Sequence, residues 1–231
     1  MKKNIFLVLF SLAFVTVSYC QNNEFNRKVK CVSVGAGNTL WVVDTDNNVY
    51  KRKGYQWIKI AREVKQVSMM SDNLAWGITP ENKIIVWDGK VWTYVTGDLK
   101  QISVGENGQV CGVNALNEIY RNDGKNNWDR FQGYLKQVSV GSDGALWGVN
   151  IDNNLYKWSL SANNWVNVEG KFTYVCAVTD NLVFAITPTY TLMKWDGTQW
   201  TLLAGNYQYI SGNSSGIVYA IDMNGQLVRL R

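Results

Sequence analysis

The 231-residue chain contains no histidine. That absence removes the usual general base, most zinc sites and every serine–histidine nucleophile pair. Proline is almost missing, with two residues, and charged side chains make up only 18% of the chain. No run of five like charges occurs, which argues against a nucleic-acid footprint. Residues 22–231 show no helical period of useful length, so an all-β architecture is expected. Cysteine is sparse, and Cys31, Cys111 and Cys176 lack any C-x-x-C spacing, so the framework does not depend on disulfides, although a bridge involving Cys31 stays open. Paired carboxylates are arithmetically available, as at Asp44, Asp46 and Asp222, but most acids fall in turn positions where an Asx turn accounts for them. No contiguous calcium-loop motif is present, although acidic loops leave calcium open. The expectation is a protein that is not an enzyme and needs no cofactor.

The first twenty residues read as a separate unit. Lys2 and Lys3 precede an apolar run from Ile5 to Val17, and Ser18 and Cys20 occupy the −3 and −1 positions of a cleavage before Gln21. This is the pattern of a secretory signal peptide, too short to span a bilayer. Tyr19 argues against a lipid anchor on Cys20. The expected organisation is therefore a signal peptide at 1–20 and one secreted domain at 21–231. Removing Lys2 and Lys3 lowers the formal net charge from +5 to +3.

What the chain does have is a repeat. Six units start at Val29, Val64, Leu99, Leu135, Phe172 and Tyr207, spaced by 35, 35, 36, 37 and 35 residues. All eleven tryptophans fall into three of its columns. The first holds Trp41, Trp76 and Trp147, the second Trp87, Trp158 and Trp195, and the third Trp57, Trp92, Trp128, Trp165 and Trp200. A period of this length signals a solenoid, propeller or array. Each unit divides into four short alternating runs, in the fourth repeat Leu135–Val140, Ala145–Asn150, Leu155–Trp158 and Trp165–Val168. Turn residues separate them: Gly37-Asn38, Asp72-Asn73, Asn107-Gly108, Asp143-Gly144, Asp180-Asn181 and Ser215-Gly216 at the first break, which predict two-residue hairpins. Asn47, Asn82, Asn117 and Asn153 mark the second. The reading is a six-bladed β-propeller of four-stranded blades. The sixth repeat ends after its third strand, and Phe25 takes the register of Ile60, so the N-terminal segment is expected to supply the missing strand and close the last blade.

The stretch Val138–Asn150, Val-Ser-Val-Gly-Ser-Asp-Gly-Ala-Leu-Trp-Gly-Val-Asn, followed by a Tyr- and Trp-bearing strand and W-x-x-V, resembles the tectonin repeat. The resemblance extends over essentially all of residues 21–231 and includes the six-repeat count. Relatives of the tachylectin-1, fish-egg lectin, fungal and slime-mould types imply a secreted carbohydrate-binding protein without catalytic activity. Its implied partners are glycans on cell or microbial surfaces, whether GlcNAc-type, O-methylated or lipopolysaccharide sugars, in a role of innate defence by agglutination. The fifth and sixth repeats depart from the pattern, with Phe184-Ala185 and Tyr219-Ala220 in place of Trp-Gly.

A sugar site needs an aromatic plate beside polar donors and acceptors. The repeat offers Trp41 with Asp44, Trp76 with Thr79, Trp147 with Asn150 and Tyr219 with Asp222, while Asn114 has only Cys111 as its partner. Three positions apart on a strand, such side chains point to opposite faces. One blade's aromatic should therefore meet the next blade's polar residue, placing carbohydrate sites between blades at Trp41, Trp76, Trp147, Tyr219, Asp44, Asn114, Asn150 and Asp222. The first and third Trp columns also suit blade packing, and Trp87, Trp158 and Trp195 are the better candidates for exposed plates. Two basic columns stand out: Lys30, Lys65, Lys100 and Lys136, and Lys51, Arg121, Lys157, Lys194 and Arg229. They read either as solvated rims or as charge on one face that attracts phosphorylated or sulphated glycans. Asn213-Ser214-Ser215 is a glycosylation sequon. No nucleic acid and no membrane insertion are expected, and the protein should be a monomer or small oligomer. The alternative function is a non-catalytic protein-interaction scaffold on the same propeller.

Overall fold

The computed structural model describes residues 25–124 and 127–230, so the proposed signal peptide and residues 21–24 lie outside the described residues. The short alternating runs fold into antiparallel strands. The first repeat gives β1 (Val29–Val34), β2 (Leu40–Asp44), β3 (Val49–Lys53) and β4 (Gln56–Ala61). The second gives β5 (Gln66–Ser71), β6 (Leu74–Ile78), β7 (Lys83–Trp87) and β8 (Trp92–Asp98). The third gives β9 (Gln101–Val104), β10 (Val110–Val113), β11 (Glu118–Asn122) and β12 (Trp128–Tyr134), and the fourth β13 (Gln137–Val140), β14 (Leu146–Val149), β15 (Asn154–Ser159) and β16 (Asn164–Lys171). Then come β17 (Tyr174–Thr179), β18 (Leu182–Ile186), β19 (Thr191–Trp195), β20 (Trp200–Gly212), β21 (Val218–Asp222) and β22 (Leu227–Leu230). β15 and β16 contain their expected runs, whereas Leu135 and Asn150 leave theirs for connecting turns, donating to Asn117 O and Asn154 O.

These strands form an all-β propeller, but with five sheets rather than the six blades expected. Four sheets have four strands, and the fifth has six in the order β17-β18-β19-β20-β21-β22. The reason lies in β20. Asn206 pairs with Thr191 of β19, and the next residue, Tyr207, already pairs with Asp222 of β21. No unpaired residue separates the two ladders, so the sixth repeat continues the fifth sheet instead of starting its own.

The expected N-terminal closing strand falls largely on residues 21–24, which lie outside the described residues. Phe25–Lys28 form no strand, and β22 is the last strand of its sheet among the described residues. Phe25 instead buries its ring against Tyr50 and Trp57 of the first repeat, at centroid distances of 5.1 and 4.9 Å, in a cluster shared with Tyr219 and Ile221. Hydrogen bonds also tie the first repeat to the sixth, among them Val29 N–H to Gly225 O at 2.8 Å and Val34 N–H to Ser211 Oγ at 3.0 Å.

The latter bond belongs to a ring. Met69, Val104, Val140 and Ala177 N–H groups donate to Ser33, Ser68, Ser103 and Ser139 Oγ, each serine one repeat earlier, at 2.8–3.0 Å. Gln66, Gln101 and Gln137 add a second tie. Each amide accepts from the N–H and donates to the C=O of one residue on the next inner strand, namely Ile102, Val138 and Val175. A net hydrogen bond of this kind contributes about 1 kcal/mol, and repetition makes the ring cooperative. The serines line a narrow cavity of about 60 Å³ along the axis.

Turn chemistry follows the expectation in part. Gly37, Gly108, Gly144 and Gly216 take positive φ, but in five-residue connections rather than two-residue hairpins, as at residues 35–39. Asp72-Asn73 and Asp180-Asn181 do form two-residue connections, but without positive φ, and a register shift precedes each. Asn47, Asn82, Asn117 and Asn153 do take positive φ, 64–68°, and their carbonyls accept the N–H that opens the following repeat.

Candidate functional site

The sequence-predicted aromatics sit in the core. Trp41 and Trp147 have no exposed surface, and Trp76 and Tyr219 are buried. Trp41 packs edge-on against Trp87 and Trp92 of the second repeat, and Trp76 against Trp128 of the third. Trp41 does meet a polar group of the next repeat, but it is Asp72: Nε1 donates to Oδ1 at 2.9 Å. Lys157 lies over Trp147 at 5.6 Å and pairs with Asp180 at 2.6 Å, so this member of the second basic column belongs to packing. Tyr219 Oη accepts from Arg52 at 3.0 Å.

The polar candidates are spent on turns. Asp44, 1% exposed, accepts from Asp46 N–H, Asn48 N–H and the Asn48 amide. Asn114 accepts from Leu116 and Glu118, Asn150 from Asp152 and Asn154, and Asp222 from Asn224 and Gln226. The eight residues therefore do not converge on an open pocket. Nor do Trp87, Trp158 and Trp195 form exposed plates. Trp87 is buried with Nε1 donating to Asp72 O, Trp158 packs on Phe131 at 4.6 Å, and Trp195 lies 5.3 Å from Trp200. Asn213 is 2% exposed and its Nδ2 donates to Gly35 O, which sequesters the sequon in the folded chain. Cys31, Cys111 and Cys176 are free and buried, so the bridge left open for Cys31 is absent. Desolvation pushes the Cys111 thiol up to about 12 and that of Cys176 to about 11. Among the described residues no three metal-ligating side chains gather.

A gap between repeats does exist, one step outward from the predicted residues. A cleft of about 140 Å³ between the first and second repeats is lined by Arg62, Glu63, Thr79, Glu81, Trp92 and Tyr94 among others. β4 ends at Ala61, and Glu63 adopts φ 57°, turning the chain so that Arg62 and Glu63 flank the β6–β7 hairpin. Thr79 is held by accepting the Lys83 N–H at Oγ1. Tyr94 stands on β8 opposite Ile85 with 72% of its surface exposed, two residues from Trp92. A planar ring, two carboxylates and a guanidinium thus border one cleft. The Tyr94 column carries Lys59, Arg130, Asn167 and Leu202 in other repeats, so this cleft alone pairs the column with an aromatic. The sequence reading missed it because its residues are exceptions to the repeat.

A second, larger opening lies on the axis. Lys30, Lys65, Lys100 and Lys136, at the entry to successive inner strands, line a mouth of about 390 Å³ with Tyr174 and Tyr209. Each ammonium donates to the side-chain oxygen of Asn47, Asn82, Asn117 or Asn153. Partial burial lowers the pKa of all four lysines, and the like charge of Lys30 on Lys65 and of Lys100 on Lys136 lowers it further.

Set beside known proteins, residues 28–194 match the Tectonin domain family model. No curated protein matches the chain. Among solved structures, "YCF48 bound to D1 peptide" superposes with a TM-score of 0.62 at 19% identity, covering 87% of this chain and 77% of that one. "YCF48 from Cyanidioschyzon merolae" gives 0.59 at 15% identity, covering 87% and 81%. A chain of "Crystal Structure of Mitotic Checkpoint Complex" gives 0.66 at 12% identity, covering 88% and 90%. At these identities the likeness is one of fold.

Proposed function

Because the chain belongs to the tectonin family, we propose that it is a secreted, non-catalytic carbohydrate-binding propeller that recognises glycans on cell or microbial surfaces. The observation that carries this reading is the cleft between the first and second repeats. Tyr94 offers an exposed plate for the apolar face of a sugar ring, and Glu63, Glu81 and Arg62 offer acceptors and donors for its hydroxyls. The corresponding gaps in other repeats lack the aromatic, so this cleft is the principal site and the others contribute by avidity. A glycan array with residues 21–231 tests the idea. Selective binding to one sugar class is expected, and Tyr94→Ala should weaken it about tenfold, the scale of one stacking contact, with an unchanged melting temperature. Silence on the array, or binding indifferent to Tyr94→Ala, would remove the lectin reading.

The second reading, a protein-interaction scaffold, is favoured by exposed Tyr55, Tyr134, Leu160 and Leu202. A similarly folded protein, YCF48, is described as bound to a peptide. Cell binding that survives an empty glycan array would select it.

A further inference from the structure

The axial mouth is chemically asymmetric. Four lysines stand at the entry to consecutive inner strands, and the fifth repeat breaks the column with Thr173, leaving a crescent of charge. The open side of the crescent is walled by Tyr174 and Tyr209, whose rings pack at 4.6 Å with a tilt of 42°, with Cys31 donating to Tyr209 Oη at 3.5 Å. Among the described residues, Asp44 and Asp46 act on Lys30 and Glu81 on Lys65, and no carboxylate acts on Lys100 or Lys136. Each ammonium has three donors and gives one to its asparagine, which aims the group and leaves donors for a ligand. The inner strands run from this mouth to the opposite end of the axis. There the Glu106 carboxylate of the third repeat accepts from the Ser214 N–H and hydroxyl of the sixth, at 2.9 and 2.5 Å, bridging that end. The channel is thus open and cationic at one end and tied across, with an acid, at the other.

We propose that the lysine mouth is a binding site for a phosphate ester of a sugar, with the phosphate seated among Lys30, Lys65, Lys100 and Lys136 and the sugar ring against Tyr174 and Tyr209. A mouth of about 390 Å³ has the size of a small-ligand site, and convergent ammonium groups of this kind favour a compact polyanion over water. The site is separate from the Tyr94 cleft and does not rest on it.

Calorimetric titration with glucose 6-phosphate, inorganic phosphate and glucose tests the proposal. Glucose 6-phosphate should bind more tightly than inorganic phosphate, and glucose should not compete with it. Lys65→Met with Lys100→Met keeps the apolar stems and should weaken binding about tenfold per lysine. Lys59→Met, on the exposed outer strand β4, should leave it unchanged. Should the double variant fail to fold, the wild-type chain still decides: affinity must fall between about 50 mM and about 500 mM salt as screening shortens. Absence of binding both to glucose 6-phosphate and to vesicles bearing phosphorylated inositol headgroups, binding that survives in a folded double variant, or binding insensitive to salt overturns the site. Equal affinity for inorganic phosphate overturns the tyrosine wall. Sedimentation with vesicles bearing phosphorylated inositol headgroups, without glucose 6-phosphate binding, overturns the sugar assignment in favour of a lipid source.

Discussion

Single side chains hold this ring together through two columns that look unremarkable in sequence. Ser139 is buried and accepts from Ala177 N–H at 2.8 Å, joining the fourth repeat to the fifth. Ser139→Ala strands that donor in the interior and should cost about 1–3 kcal/mol. For a domain of this size that lowers the melting temperature by about 2–4 °C per kcal/mol. An unchanged calorimetric melting temperature would show that the serine ring contributes nothing. The protein carries a substitution at this position in its own fifth repeat, where Cys176 replaces serine and faces the Gly212 N–H. The serine column was legible as a column, but its partner was not, because the bond crosses about one full repeat of sequence. The glutamine column Gln66, Gln101 and Gln137 sat in the same register and drew no notice. Nothing in a local reading says that an amide two residues before a serine will clamp the neighbouring strand.

Among the elements, the outer strands show how the repeats lock. β4, β8, β12, β16 and β20 each pair out of step with their neighbours, and Gly97, Gly133, Gly170 and Gly205 take φ of 97–123° there. The bulge receives the next repeat. A Cβ on Gly133 would lie 2.9 Å from the Trp165 ring, whose Nε1 donates to Gln132 O at 2.9 Å. Gly54 also takes positive φ, 62°, but nothing lies within 4 Å of its Cβ position. Gly54→Ala should therefore cost only the left-handed backbone, about 1 kcal/mol. Gly133→Ala adds an overpacking cost of about 1–3 kcal/mol. Equal urea midpoints for the two variants would mean that the Trp165 contact carries no weight. The third Trp column was correctly read as packing: Trp92 meets Trp41, Trp128 meets Trp76 and Trp165 meets Phe131. The second column was misread as exposed, because its position before the third loop gave no hint that Trp87 folds back onto Asp72 and Trp41.

At the scale of the molecule, packing and hydrogen bonds among the described residues join the first repeat to the sixth. Phe25 fills the seam between the first and sixth repeats, and the main-chain bond from Val29 to Gly225 completes it. Phe25→Ala should destabilise the ring by about 3–5 kcal/mol. A thermal melt indistinguishable from wild type would refute the seam. The repeat period, the tryptophan columns and the alternating runs determined an all-β propeller from sequence alone, because hydrophobic periodicity and turn residues act within a few positions of one another. Tertiary structure alone decided the rest. The sixth repeat continues the fifth sheet because Tyr207 pairs at once with Asp222. The predicted polar partners close their own hairpins, and the lysine column, legible as a column, is shown by the fold to share one mouth with Tyr174 and Tyr209. These outcomes depend on which partner a strand end or a turn side chain takes, and periodicity does not record that choice.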